Sequence, residues 1–237
     1  MKLTRREALA STAAAALVIV PSASAGETQG GVGAVADIVN VAWGTVAPEP
    51  RDEIEFEDGV YMNEVIETDD ESAVVITFSD GSKLTVGENA KVTIDTYVYD
   101  PGAGSGAQSV TVAKGAFRFL SGAIPKEKVK LQTPTVTIGI RGTELIFDVA
   151  EDGETELSTV AGKVDCTDGA GETLTVLADQ SIVVDRNRRF RGRVRRFRHR
   201  SRSLAIAEGL DGARNRWRIR KVRKRRERRR RRRRRDN

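Results

Sequence analysis

The chain has 237 residues, with 40 Lys and Arg against 34 Asp and Glu, a formal net charge of +6. That average hides a division: Gly26–Asp185 carries 29 acidic and 10 basic residues, whereas Arg186–Asn237 carries 27 basic and 4 acidic ones. A single cysteine (Cys166) and a single histidine (His199) exclude a disulfide scaffold and a Cys/His zinc set, and the composition is not that of a polytopic membrane or fibrous protein.

The first 25 residues read as an export signal. Lys2, Arg5 and Arg6 form a positive n-region, Ala8–Val20 is a short apolar run, and Ala23-Ser24-Ala25 offers small residues before Gly26. Thirteen residues are too few for a bilayer core, which takes about 20. The Arg5-Arg6 pair resembles a twin-arginine signal; Ala8 stands where Phe often follows, so a Sec route stays open. Cleavage after Ala25 would release a periplasmic or secreted protein, and no lipoprotein cysteine follows. Residues 26–40 read as a lead-in.

Between Val32 and Val184 no segment sustains a helical period, and residues 41–185 read as one domain. Short β-branched and aromatic runs alternate with polar residues instead: Val74, Ile76, Phe78; Val92, Ile94; Phe117, Phe119; Val129, Leu131; Val136, Ile138, Ile140; Leu145, Phe147, Val149; Val176, Ile182, Val184. Asp58-Gly59, Asp80-Gly81, Asp152-Gly153 and Asp168-Gly169 lie between the runs and predict tight turns. The fold class is therefore all-β. Short strands with near-regular glycines suit a solenoid-like stack, and a β-sandwich is the alternative. Pro101–Gly106 reads as a loop between hairpin strands. Trp43, Phe78 and Phe119 are expected in the core.

Several stretches carry a family resemblance: Val65–Thr68 with Ser72–Ser82, Lys114–Phe119, and above all Thr133-Pro134-Thr135 running to Arg141-Gly142-Thr143. Together they resemble the FecR domain, a periplasmic signalling module. The resemblance implies a solenoid-like, non-catalytic protein-binding domain and no cofactor. With an export signal in place of a cytoplasmic segment, the expectation is a free-standing exported FecR-domain protein. Thr133, Pro134, Arg141, Gly142, Thr143, Asp80 and Gly81 are the family-signature residues that the resemblance marks, and they are expected to form a structural clamp, with a ligand contact as the alternative. Gly142 suits a strained backbone site, and the Arg141 fork can bind carbonyls or a carboxylate.

Catalytic chemistry lacks its parts. His199, the one candidate base, lies in the basic tail, and acidic clusters such as Asp69-Asp70-Glu71 read as solvated faces. No calcium-binding repeat or EF-hand loop occurs, so no metal site is expected.

The tail, residues 186–237, holds 25 Arg and 2 Lys and reads as disordered or partly helical. Arg195, Arg196, Trp217, Arg228, Arg231 and Arg235 are its candidate polyanion contacts, because guanidinium groups bind phosphate bidentately and aromatics stack. Outside the cytoplasm the expected anion is a membrane or lipopolysaccharide surface ahead of nucleic acid. The functional expectation is a periplasmic interaction module tethered by its tail to that surface and engaging an envelope protein. The alternatives are a polyanion-binding protein that acts through the tail alone, and a tail folded back on its own acidic domain.

Overall fold

The computed structural model describes residues 31–196. The expected export signal with Arg5, Arg6, Ala23 and Ala25 lies outside the described residues, as does the tail beyond Arg196 with His199, Trp217, Arg228, Arg231 and Arg235.

The chain alternates between two sheets. It enters sheet A with β1 (Gly33–Val39) and crosses to sheet B for β2 (Ala42–Thr45) and β3 (Asp52–Glu53). It touches A in β4 (Gly59–Val60) and returns to B in β5 (Val65–Thr68). Next come β6 (Ala73–Phe78) and β7 (Lys83–Val86) in A, then β8 (Lys91–Asp100) in B. Strand β9 (Ser105–Leu120) belongs to both sheets. Its first part pairs with β8 in B and its second with β7 in A. A 3₁₀ turn at Lys126–Lys128 leads to β10 (Val129–Gln132) and β11 (Val136–Ile140) in B. Strands β12 (Glu144–Val149) and β13 (Thr155–Ala161) follow in A, then β14 (Lys163–Asp168) and β15 (Thr173–Leu177) in B. The described chain ends in A with β16 (Gln180–Val184) and β17 (Arg195–Arg196).

Both sheets therefore grow in the same direction as the sequence advances. The fold is all-β, with the one-way progression of a solenoid and the facing sheets of a sandwich. All pairings are antiparallel except β9 with β10, because the repeating unit is a hairpin rather than a coil.

Period-two alternation explains which side chains meet. Val74, Ile76 and Phe78 of β6 point inward from sheet A, and Val92 and Ile94 of β8 point inward from sheet B; all are buried. One continuous core runs through both sheets, from Val32 to Val184. Phe78 and Tyr97 stack across it from opposite sheets, ring centroids 5.4 Å apart. Phe117 and Phe147 stack on neighbouring strands of sheet A at 5.3 Å. Burying such a ring stabilises by about 3 kcal/mol or more, judged by the cost of truncating one.

Gly115 is the corner of β9. Residues up to Lys114 pair with β8, and from Gly115 onward the strand pairs with β12. Its φ of 109° and the Ala90 side chain against the place a Cβ would occupy explain why only glycine fits.

Four expectations are corrected or refined. The lead-in is not separate: β1 pairs along β6, with Val35 and Val39 buried. Trp43 is not core; it faces outward from β2, its indole N–H donates to Asp69, and Arg51 lies 4.5 Å over its ring. The Asp-Gly pairs split: Gly81 and Gly153 take positive φ, while near the other two pairs Glu57 and Gly171 do so instead. The Pro101–Gly104 turn is tied by Asp100, whose carboxylate accepts from the Gly102 and Ala103 amides, and Ser105 and Gly106 already belong to β9.

Candidate functional site

The Asp80-Gly81-Ser82 turn joins β6 to β7, and Gly81 adopts φ 81° there. Asp80 is buried, and its carboxylate accepts from the Ser82 amide at 3.0 Å, the Ser82 hydroxyl at 2.6 Å and the Ile124 amide at 3.2 Å. The Tyr97 hydroxyl donates to the same carboxylate at 3.2 Å and accepts from the Asp80 amide at 2.7 Å. One side chain thus pins a sheet A hairpin to β8 of sheet B and to the segment after β9. Burial, and then the neighbouring Asp80 charge, push the Tyr97 phenol well above its ordinary value, against the lowering effect of the Asp80 amide.

The Thr133-Pro134-Thr135 stretch forms the turn between β10 and β11. The Thr133 and Thr135 hydroxyls each lie 2.9 Å from the Thr155 hydroxyl, and Thr135 donates to the Gly153 carbonyl at 2.8 Å. This turn of sheet B is so fastened to the β12–β13 turn of sheet A. At the other end of β11, Thr143 donates to the Lys163 carbonyl at 2.6 Å, and its amide donates to Ser121. Gly142 beside it has φ 79°. Arg141 pairs with Asp165 at 2.9 Å on the outer side of sheet B, and Thr175 donates to the same carboxylate. The Arg141 guanidinium, helped by Thr175, holds the Asp165 carboxyl below its ordinary value.

These residues do not converge on one cavity. They form a belt of ties between the sheets, with Asp80, Thr135 and Thr143 buried and Gly81, Pro134, Arg141 and Gly142 exposed. Cys166 lies in the core, where burial first and the Asp165 charge second push its thiol up to about 12. It cannot supply a thiolate near neutral pH. Among the described residues no group of three or more His, Cys, Asp or Glu is placed to hold a metal ion.

The composition of the tail concealed where the domain ends. Residues 186–196 run along the last strand of sheet A. Phe190 bridges to Val184, the Arg191 amide donates to the Val183 carbonyl at 2.8 Å, and Arg195 and Arg196 pair with β16. Phe190 and Val194 pack against the core. Arg195 and Arg196 are exposed on β17. Their place on the sheet edge differs from the free tail expected, because two apolar anchors among seven arginines suffice to dock the segment. Apolar periodicity at such low density leaves almost no signal in sequence.

Residues 64–165 match the FecR protein family. The chain carries a FecR domain. The match includes Asp80, Gly81 and the whole Thr133–Thr143 stretch, while β1 and the β16–β17 end lie beyond it. It supports a regulatory, signalling module. A search of curated proteins found no match. Among solved structures, the FecR-domain chain is similar to two crystal structures of a candidate anti-sigma factor from Parabacteroides distasonis, at 1.65 and 2.50 Å resolution. Both are 14% identical, with TM-scores of 0.45 and 0.44, and each alignment covers 62% of this chain. The chain spans 65% and 64% of those two proteins, a little under two thirds.

Proposed function

We propose that this protein is an exported, non-catalytic FecR-domain interaction module whose arginine tail holds it at an anionic envelope surface. The observation that carries the reading is the FecR match over residues 64–165, and the N-terminal stretch that reads as an export signal and the run of arginines at Arg228–Arg235 support it. Among the described residues no helix is long and apolar enough to cross a membrane; the tether proposed is electrostatic because the tail carries 27 basic against 4 acidic residues. Arg outnumbers Lys in the tail by 25 to 2, which favours phosphate as the partner group over a generic anion.

The test is sedimentation of the full chain, and of a variant with Arg228–Arg235 changed to Gln, with vesicles of anionic or neutral lipid. The full chain should sediment with anionic vesicles at 0.1 M salt and lose most of that binding at 1 M, where the Debye length falls to about 3 Å. The variant should bind far less. Equal sedimentation of both proteins, or binding indifferent to salt, overturns the tether. A mature chain that does not begin at Gly26 in the exported fraction overturns the cleavage site.

A further inference from the structure

The outer face of sheet A carries a row of side chains that alternate with the core. In register across the sheet stand Ala116 of β9, Asp148 of β12, Glu156 of β13 and Val183 of β16. Asp148 and Glu156 are direct cross-strand partners, two acidic residues in register on this face. Glu88, Glu151 and Glu154 surround them, and an open cleft of about 410 Å³ runs among these carboxylates. One cation of this cleft comes from β9, Lys114 paired with Glu151 at 2.9 Å. Another comes from the start of the tail, where the Arg191 guanidinium pairs with Glu154 at 3.1 Å while its amide bonds to Val183 in the same row.

The described chain ends at Arg196 on the edge of this same sheet, with β16 and β13 between it and β12. Arg196 is in register with Leu145, so at about 4.8 Å per strand and about 3.4 Å per residue Asp148 lies some 18 Å away, a gap that about six extended residues cross. Residues 197–237 supply 41 residues with 20 basic and 4 acidic side chains. We infer that this arginine-rich segment turns back and docks on the outer face of sheet A, extending along Asp148, Glu156 and Glu88 the contact that Arg191 begins at Glu154. Because the segment is tethered beside the face, its effective concentration is of millimolar order, above that of a free cationic partner. The inference goes beyond the tether and does not depend on it. It also means that a phosphate surface and the acidic face compete for the same arginines.

The experiment uses the full chain with a nitroxide on Asn237→Cys; Cys166 is buried and does not react. Paramagnetic broadening of amide resonances at low salt should be several-fold stronger at Ala116, Asp148 and Glu156 than at Lys130 and Thr137 on the outer face of sheet B. It should collapse in 1 M salt, an arm that needs no further variant, and in the triple variant Asp148→Asn, Glu154→Gln, Glu156→Gln. Equal broadening of both faces overturns the inference, as does broadening that survives both salt and the triple variant. Mixing the nitroxide chain with an isotope-labelled, nitroxide-free chain checks the occupant. Transfer of the broadening to the second chain makes the occupant another copy and overturns docking within one molecule.

Discussion

Gly142 and Gly162 both take positive φ, 79° and 75°, at the ends of strands that meet beside Thr143. Their surroundings differ. A Cβ on Gly142 would find only Lys126 Cγ at 4.0 Å, whereas one on Gly162 would run into the Gly142 carbonyl. Backbone strain alone costs an L residue about 1–2 kcal/mol in this region. Gly142→Ala should therefore cost about 1 kcal/mol and Gly142→Val more, since branching adds strain. Gly162→Ala, the smaller change, should cost more than either, because the peptide of Gly142 has to move as well. Urea unfolding of the three variants checks the order; a Gly162→Ala variant as stable as Gly142→Ala would show that the two strand ends do not touch as described. The Arg-Gly-Thr stretch pointed to Gly142, but nothing in the sequence ties it to Gly162, since their contact arises only when β13 returns alongside β12.

The ties between elements have a pH signature. The Tyr97 phenol has a folded-state pKa above its ordinary 10.0, and burial holds the Cys166 thiol at about 12 against an ordinary 9.0. A raised folded pKa gives stability that is complete below the unfolded value and lost as pH rises toward the folded one. The domain should lose stability from about pH 9 upward, more steeply past 10. Tyr97→Phe should flatten the part above pH 10 while costing about 1–3 kcal/mol at neutral pH, because the Asp80 amide loses its acceptor. Cys166→Ala should flatten the part between 9 and 12. Thermal unfolding as a function of pH reads both, and parallel curves for wild type and Tyr97→Phe would remove the node's role. At this scale much was legible. Phe78 and Phe119, expected in the core, are buried there, because they alternate with polar neighbours and the side-chain direction of a strand is local. The Asp80–Tyr97 node was not, since it joins residues of two sheets. Trp43 was expected in the core with Phe78 and Phe119, while its place on β2 and its partners Arg51 and Asp69 turn it outward.

Across the whole molecule, charge divides the sequence at Arg186, yet packing divides it at or beyond Arg196. The disagreement has a physical cause: composition records the average of a segment, whereas docking needs only a few apolar anchors and a free strand edge. Here β16 offers the edge, and Phe190 and Val194 are the anchors. Val184 is fully buried with Phe190 beside it, so a chain cut at Asp185 exposes that end of the core and leaves β16 unpaired on one side. Removing a partly buried aromatic and its neighbours costs about 2 kcal/mol or more, which shifts the melting temperature of a domain this size by roughly 4 °C or more. Two truncations separate the boundaries. A chain ending at Arg196 should melt close to the full-length protein at 1 M salt, where exposed charge pairs are screened. A chain ending at Asp185 should melt several degrees lower at the same salt, and Phe190→Ala in the full chain should reproduce much of the drop. Identical melting of the two truncations would return the domain boundary to Asp185 and make residues 186–196 part of the tail, as their charge alone implies.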